Sequence, residues 1–267
     1  MVKERENINW FETRPLFGKR VAVTRTRAQA GSLSKRLKDL GAQVLEMPTI
    51  KTTLPDQKES MVSGVTDAHK YDWIVFSSPN GVEYFFNAFF KAYADARSLG
   101  GARIATVGPA TARKLKEYHF ASDLIPEKHI AEGLVDAFKE QSIEHQTILY
   151  VKAETTRDVV TEGLTKQGAI VDECVVYKTV AEMEDPTGAK AEFKENGADY
   201  ITFTSGSTGK YFHEFGLEVP EECRIASIGP ITTEVLGTLG YTADLEATEH
   251  NIDGLVEAIL ADATKEA

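Results

Sequence analysis

The sequence predicts an α/β protein built from two similar units, each a parallel sheet flanked by helices. Three observations carry that prediction. One short stretch occurs twice, as Arg103-Ile104-Ala105-Thr106-Val107-Gly108-Pro109-Ala110-Thr111 and as Arg224-Ile225-Ala226-Ser227-Ile228-Gly229-Pro230-Ile231-Thr232. Short apolar runs rich in β-branched residues alternate with runs of helical period along the chain. The length, 267 residues, suits two domains of about 100–150 residues each.

Each copy of the repeated stretch reads as a buried strand that stops at Gly-Pro and turns into a helix. Gly permits the tight turn, and Pro sits in the first helical turn, where a missing N–H costs least. The hydroxyl that follows, Thr111 or Thr232, is placed to cap free amides or to meet an anion.

Before the first strand, residues 1–17 are charged and irregular and read as a leader or linker: a surface tail with one hydrophobic anchor, or a segment whose Trp10 and Phe11 dock on the body. Arg20-Val21-Ala22-Val23-Thr24 is the first strand and residues 25–30 its exit loop. A helix runs from Ser32 to Leu40 on Leu33, Leu37 and Leu40, and Gly41 ends it. Residues 42–46 form a strand, and 47–52 continue extended. Pro48 marks that segment as edge or connecting. A helix over 56–68 precedes the strand Asp72–Phe76, and a further helix opens at Ser77-Ser78-Pro79-Asn80-Gly81 and carries Tyr84, Phe85 and Phe89. After the first Gly-Pro element come a helix over 112–118, a short strand over 122–125, a loop with His129 and a helix over 132–139. Then follow the strand 147–151, the loop 152–157, a helix ending near Gly168 and an extended segment over 171–180.

The second half repeats the first in register. One constant offset carries Gly41 to Gly168, Phe76 to Phe203, Ser78 to Ser205 and Tyr84 to Tyr211. A second, slightly shorter offset carries Gly108 to Gly229, Thr111 to Thr232, Asp123 to Asp244, His129 to His250 and Gly133 to Gly254. The difference is a longer loop near Asp95–Gly100 in the first half. The period is far too long for a solenoid.

Alternating strands and helices give parallel sheets covered on both faces, with ligands beyond the carboxyl ends of the strands. Two such units with facing loops would make a cleft. Its lining would be hydroxyls, small residues and free helix amides from the loops at 24–27, 77–80, 108–111, 152–155, 204–207 and 229–233. Local dipoles of that kind suit a ligand with several carboxylates or phosphates, even in a chain of net charge −11. The same Ser and Thr residues also read as plain N-caps. That acidity argues against non-specific nucleic-acid binding. No apolar run approaches the ~20 residues of a membrane span, and no signal-peptide core opens the chain, so a cytoplasmic protein is expected. Cys174 and Cys223 lack ligand spacing and read as reduced, structural thiols. Neither a dinucleotide-binding glycine motif, nor a phosphate-binding P-loop, nor a nucleophile elbow is present. An enzyme of this composition is expected to work with no cofactor and no metal, by positioning and proton transfer. Tyr177, in Val175-Val176-Tyr177-Lys178-Thr179-Val180, reads either as a hydroxyl at the cleft floor or as a packing tyrosine; its counterpart in the repeat is Ile50.

The chain resembles the uroporphyrinogen-III synthases over essentially Leu16 to Leu260. The resemblance rests on Val21-Ala22-Val23-Thr24-Arg25, Gly41-Ala42, Pro48-x-Ile50 and Phe76-Ser77-Ser78-Pro79-Asn80. It rests further on Val176-Tyr177-Lys178-Thr179, Phe203-Thr204-Ser205 and Ile228-Gly229-Pro230-x-Thr232. It implies that the chain crosses twice: one domain over 16–48 and 180–267, the other over 54–174. Residues 47–53 and 174–180 would pair as a two-stranded β connector, and 1–15 would be the leader. It also implies a lyase of haem, sirohaem and cobalamin biosynthesis that closes linear hydroxymethylbilane to uroporphyrinogen III with inversion of ring D. Tyr177 would donate the proton that lets the terminal hydroxyl leave as water; a phenol with a pKa of about 10 holds that proton at pH 7. Ser78, Thr111, Ser205 and Thr232, with Arg25, Asn80, Gly108, Ser207, Gly229 and Thr233 of the same loops, would hold the substrate carboxylates.

Many relatives carry Arg-Gly where this chain has Lys152-Ala153, which keeps a charge and loses the bidentate fork. Residues 9–19 look like the junction in chains where the synthase follows a uroporphyrinogen methyltransferase. The implied protein is a monomer that takes hydroxymethylbilane from hydroxymethylbilane synthase or passes product to such a methyltransferase. Two other readings stand beside it: a non-catalytic two-lobed binding module for an anionic metabolite, and a flavodoxin-like FMN carrier.

Overall fold

Strands that are apolar on both faces need helices on both sides, and each half of this chain supplies them. The computed structural model describes residues 12–265, with the backbone alone for residues 27–29. Trp10 and Phe11, the anchor expected in the leader, lie outside the described residues. In order, the elements are β1 (Arg20–Val23), α1 (Arg27–Asp39), β2 (Gln43–Glu46), β3 (Ile50–Thr53), α2 (Glu59–Thr66), β4 (Trp73–Phe76), α3 (Pro79–Ala92), β5 (Arg103–Thr106), α4 (Pro109–Glu117) and α5 (Ala131–Phe138). They continue with β6 (Thr147–Ala153), α6 (Val159–Lys166), β7 (Ile170–Ala181), α7 (Ala189–Asn196), β8 (Tyr200–Phe203), α8 (Gly206–Glu214), β9 (Arg224–Ser227), α9 (Pro230–Thr238), β10 (Leu245–Glu246) and α10 (Ile252–Ala263).

The chain divides into two compact units. The first takes residues up to Lys51 and from Val180 onward, and the second takes Thr52–Thr179. The first unit's sheet has the order β10-β9-β8-β1-β2, parallel throughout. The second sheet runs β3-β7-β6-β4-β5, with β7, β6, β4 and β5 parallel to one another. Pro48 precedes the edge strand β3, a place where its missing N–H breaks no ladder. Residues 174–180 are not a separate strand. They are the carboxyl-terminal part of the long strand β7.

Period-two alternation divides each core between the faces of its sheet. In the second unit Ile74 and Phe76 point into one cluster with Val82, Phe85, Phe86 and Phe89 of α3, and Trp73 and Val75 point into the other with Leu134, Phe138 and Val160. In the first, Val21 and Val23 join Leu255, Val256 and Ile259, whereas Ala22 joins Phe203 and Phe212.

The internal repeat reappears as matched contacts. Asp72 accepts the Thr147 N–H at 2.8 Å, and Asp199 accepts the Arg20 N–H at 2.7 Å. Asp123 accepts from Ile104 N, and Asp244 from Ile225 N, each at 2.7 Å. Glycine is required at Gly133 and Gly254, because a Cβ there would lie 2.1 Å from the Lys128 carbonyl oxygen and 2.2 Å from that of Glu249.

Four expectations need correction. Helix α1 starts at Arg27, not Ser32, so the exit loop of β1 is only residues 24–26; Gly31 faces open space inside the helix and hides its early turns. The strand expected over 122–125 is a single bridge, Ala105 to Leu124, because Ser122 and Asp123 direct their side chains to the backbone of β5. Strand β6 runs on to Ala153, so Lys152 lies inside it. Residues 14–17 belong to the first unit's body. Leu16 is 0% exposed in its core, and its N–H donates to Leu40 O at 2.9 Å. Gly41, at φ +97°, lets that segment cross, since a Cβ would meet Arg14 Cβ at 2.8 Å.

Leu16→Ala is expected to cost about 2–5 kcal/mol, read as a lower urea midpoint for the first unit; an unchanged midpoint would mean the segment is a dispensable tail. Burial pushes the Cys174 and Cys223 thiols, with ordinary values of 9.0, and the Tyr150 phenol, ordinarily 10.0, up to about 12. The unfolded chain releases these protons first, so stability present below pH 9 should fall as pH rises toward 12. Urea midpoints across that range test it, and Cys174→Ala should flatten the decline.

Candidate active site

Tyr177 owes its position to an irregularity in β7. Along β6 and β7 the register runs Tyr150 to Glu173, Val151 to Cys174 and Lys152 to Val175, and then shifts so that Ala153 pairs with Tyr177. Strict alternation would put Tyr177 on the face opposite Cys174 and Val176. The bulge turns it to the same face, and all three side chains pack in one cluster.

From there the phenol meets the N-terminus of α3. Ser78 is the N-cap: its Oγ accepts the Gly81 N–H at 3.0 Å, and Pro79 occupies the first turn. The same Oγ lies 3.0 Å from the Tyr177 hydroxyl, and the Asn80 side chain hydrogen-bonds that hydroxyl as well. Tyr177 is only 7% exposed. Burial raises the phenol's pKa above its ordinary 10.0, the bonds to Ser78 and Asn80 pull it down, and Tyr84 adds a small upward push; the result stays raised. Tyr177 is thus a neutral phenol at physiological pH, with two polar partners and the positive end of a helix dipole beside its oxygen. The Tyr84 ring stacks on it at 5.5 Å between centroids and 21° between planes.

Next along the same sheet edge, Gly108 caps α4, and a Cβ on it would lie 3.1 Å from the His129 Cβ. Thr111, in the first turn of α4, is buried. His250 packs against Gly229 in the first unit in the same way, so these two repeat-related histidines cover glycines at helix starts.

The remaining expected site residues belong to the first unit. Ser205 caps α8, accepts the Thr208 N–H at 3.4 Å, and lies 2.9 Å from the Ser207 hydroxyl. Arg25 follows β1, and burial lowers its guanidinium pKa from the ordinary value. Gly229 caps α9, and Thr232 is buried in its first turn. The Thr233 hydroxyl is engaged by Ser227 at 2.6 Å, by Gly229 O at 3.3 Å and by Glu246. So Tyr177, Ser78 and Asn80 form one cluster, Gly108 and Thr111 lie along the same edge, and the other six make a rim of their own.

Sequence reading missed two features here. Lys152 is 3% exposed, with its Nζ 2.9 Å from Glu173 and 3.3 Å from Asp158, so its charge is answered inside the second unit. Tyr84 was legible only as a repeat position. Its spacing of one helical turn from Asn80 was the available signal. Among the described residues no group of three or more His, Cys, Asp or Glu is arranged to hold a metal ion, and no helix is long and apolar enough to cross a membrane.

Comparison with known proteins gives one answer throughout. The family model described as uroporphyrinogen-III synthase HemD matches residues 31–257. The uroporphyrinogen-III synthase of Synechococcus elongatus is 32% identical over 257 residues, covering 92% of this chain and 96% of that protein. The porphyrin biosynthesis protein HemD of Ruminiclostridium josui is 31% identical over 262 residues, 96% of this chain; the chain spans 51% of that protein's length. Among solved structures, the uroporphyrinogen-III synthetase of Helicobacter pylori superposes with a TM-score of 0.64 at 15% identity, over 91% of this chain and 99% of that one. A mutant uroporphyrinogen III synthase from Thermus thermophilus gives 0.61 at 16% identity, over 94% and 100%. These two establish a common fold.

Ser78→Ala removes a helix cap and one of the phenol's partners. It should cost about 1–2 kcal/mol in urea unfolding. In the ultraviolet titration difference between wild type and Tyr177→Phe, the missing phenol should ionise above pH 10.0, and Ser78→Ala should move it higher still. A midpoint below the ordinary value would contradict the buried, neutral phenol.

Proposed function

We propose that this chain, which belongs to the uroporphyrinogen-III synthase family, carries out its reaction with Tyr177 as proton donor at the N-terminus of α3. Its function is uroporphyrinogen-III synthesis in tetrapyrrole biosynthesis, a lyase reaction on a small-molecule substrate. The observation that carries the residue assignment is the Tyr177 hydroxyl, buried and neutral, 3.0 Å from Ser78 Oγ at a helix start.

In this reading the substrate is hydroxymethylbilane. The bond from its terminal methylene to the hydroxyl breaks as the Tyr177 proton passes to the leaving oxygen, and water departs. The electron pair of the adjoining pyrrole nitrogen, which keeps its proton, fills the gap and gives an azafulvenium cation opposite the Tyr177 phenolate. The far ring attacks that methylene through its substituted α-carbon, which has no proton to lose, and a spiro intermediate results. Fragmentation of the spiro centre and re-closure through the ring's other α-carbon invert ring D. The proton shed at that last closure returns to the Tyr177 oxygen, so the net change is the loss of one water. Ser78, Asn80 and the α3 dipole stabilise the transient phenolate, where a buried anion would otherwise be costly.

Binding is assigned to the rims. Gly108 and Thr111 in the second unit, and Arg25, Ser205, Ser207, Gly229 and Thr232 in the first, take the acetate and propionate carboxylates through amides, hydroxyls and one guanidinium. Thr233 holds the α9 loop in shape through Ser227 and Glu246. Arg25 brings the one guanidinium of this set, and burial already lowers its pKa from the ordinary value. The same reading takes the chain to be a cytoplasmic monomer that needs no cofactor and exchanges tetrapyrroles with hydroxymethylbilane synthase or a uroporphyrinogen methyltransferase.

Tyr177→Phe should lower kcat by ~10²-fold or more, the range of a lost general acid, while product affinity changes by less than about threefold. Stopped-time kinetics and product-binding titrations on the same variant give both numbers. Equal losses in turnover and binding would instead make Tyr177 a packing residue.

A further inference from the structure

Two hydrogen bonds fix where the Tyr177 oxygen sits, and they leave open which way its ring plane faces. That plane matters, because conjugation keeps a phenol's O–H close to the plane of its ring. Whatever sets the ring's rotation therefore sets the directions in which the proton can point.

One aromatic side chain lies flat against that ring. The Tyr84 ring lies 5.5 Å from the Tyr177 ring, centroid to centroid, with only 21° between the planes, the offset arrangement that aromatic pairs favour. Tyr84 is itself held at both ends. Its backbone lies on α3, one helical turn beyond Asn80 and on the same face. Its hydroxyl donates to Thr52 Oγ1 of the edge strand β3 at 3.1 Å. A single helix thus presents the cap and the carboxamide that hold the phenol oxygen, and one turn later the ring that sets its plane. The internal repeat does not demand this arrangement. Tyr84 has a counterpart in Tyr211, but the counterpart of Tyr177 is Ile50, so the repeat gives no reason for a tyrosine pair.

We propose that Tyr84 is a positioning residue for the reaction: by stacking on Tyr177 it aims the donor's proton, without touching the reacting atoms. The proposal rests on the reading of Tyr177 as the donor. Tyr84→Leu deletes the stack, and Tyr84→Phe keeps the stack and deletes only the Thr52 anchor.

The test is a double-mutant cycle on the full chain, with kcat, KM and the urea midpoint measured for Tyr84→Leu and Tyr84→Phe alone and in the Tyr177→Phe background. Tyr84→Leu alone should lower kcat by ~10-fold with KM within about twofold, as expected for a misaimed group. Tyr84→Phe should restore most of that loss. In the Tyr177→Phe background Tyr84→Leu should change kcat by less than about twofold, because no proton is left to aim. Equal losses of kcat in both backgrounds, or a loss that Tyr84→Phe does not restore, would overturn the proposal and make Tyr84 a packing residue. Wild-type kcat in the Tyr177→Phe variant alone would remove the donor reading and this proposal with it. That failure is distinct because it needs no Tyr84 substitution to appear.

Discussion

A phenol buried at the start of a helix is the constraint on which the second unit turns. Placing a hydroxyl in a core without partners costs several kcal/mol, and an ionised oxygen there costs more. Tyr177 meets that demand with Ser78, Asn80 and the end of the α3 dipole, all supplied within one helical turn. The arrangement depends on the bulge opposite Lys152 and Ala153, without which the ring would face the other side of the sheet. It depends as well on the apolar stripe Val82, Phe85, Phe86 and Phe89, which seats α3 on β4 and so fixes where its N-terminus lies.

The duplication supplied two such helix starts, and the units have used them differently. In the second unit the α3 cap is met by a phenol. In the first, the residue matching Tyr177 is Ile50, which has no hydroxyl to offer, and Ser205 and Ser207 bond to each other at the start of α8. The shared framework is kept by the paired aspartates and by the glycines that follow His129 and His250. Divergence is concentrated at the carboxyl ends of the strands, where a parallel sheet can change its chemistry without disturbing its packing.

Most of the architecture was legible because the repeat multiplies weak local signals. Gly-Pro at a strand end is ordinary once, whereas two copies in matching order identify two matching α/β units. The losses have particular causes. Gly31, an exposed glycine inside α1, broke the helical pattern. Leu16 looked like part of a charged leader because its hydrogen-bond partner, Leu40, is some two dozen residues away. For the candidate site, residue types at loops could be read, but not which hydroxyls are already engaged. Thr233 turns to Ser227 and Glu246, and Lys152 to Glu173, through contacts that depend on strand register. The bulge in β7 could not be placed from sequence, since Val175-Val176-Tyr177 is an unbroken apolar run in which no alternation marks the register.

On the proposed function, this fold directs closure of a linear tetrapyrrole through an inverted ring rather than leaving it to close unaided. The most direct measurement gives the purified protein freshly generated hydroxymethylbilane, oxidises the products, and separates the type I and type III porphyrin isomers. Type III in excess over the spontaneous type I background is the predicted result. Type I alone, from folded protein and bilane intact at mixing, would contradict the account and leave a binding module in its place.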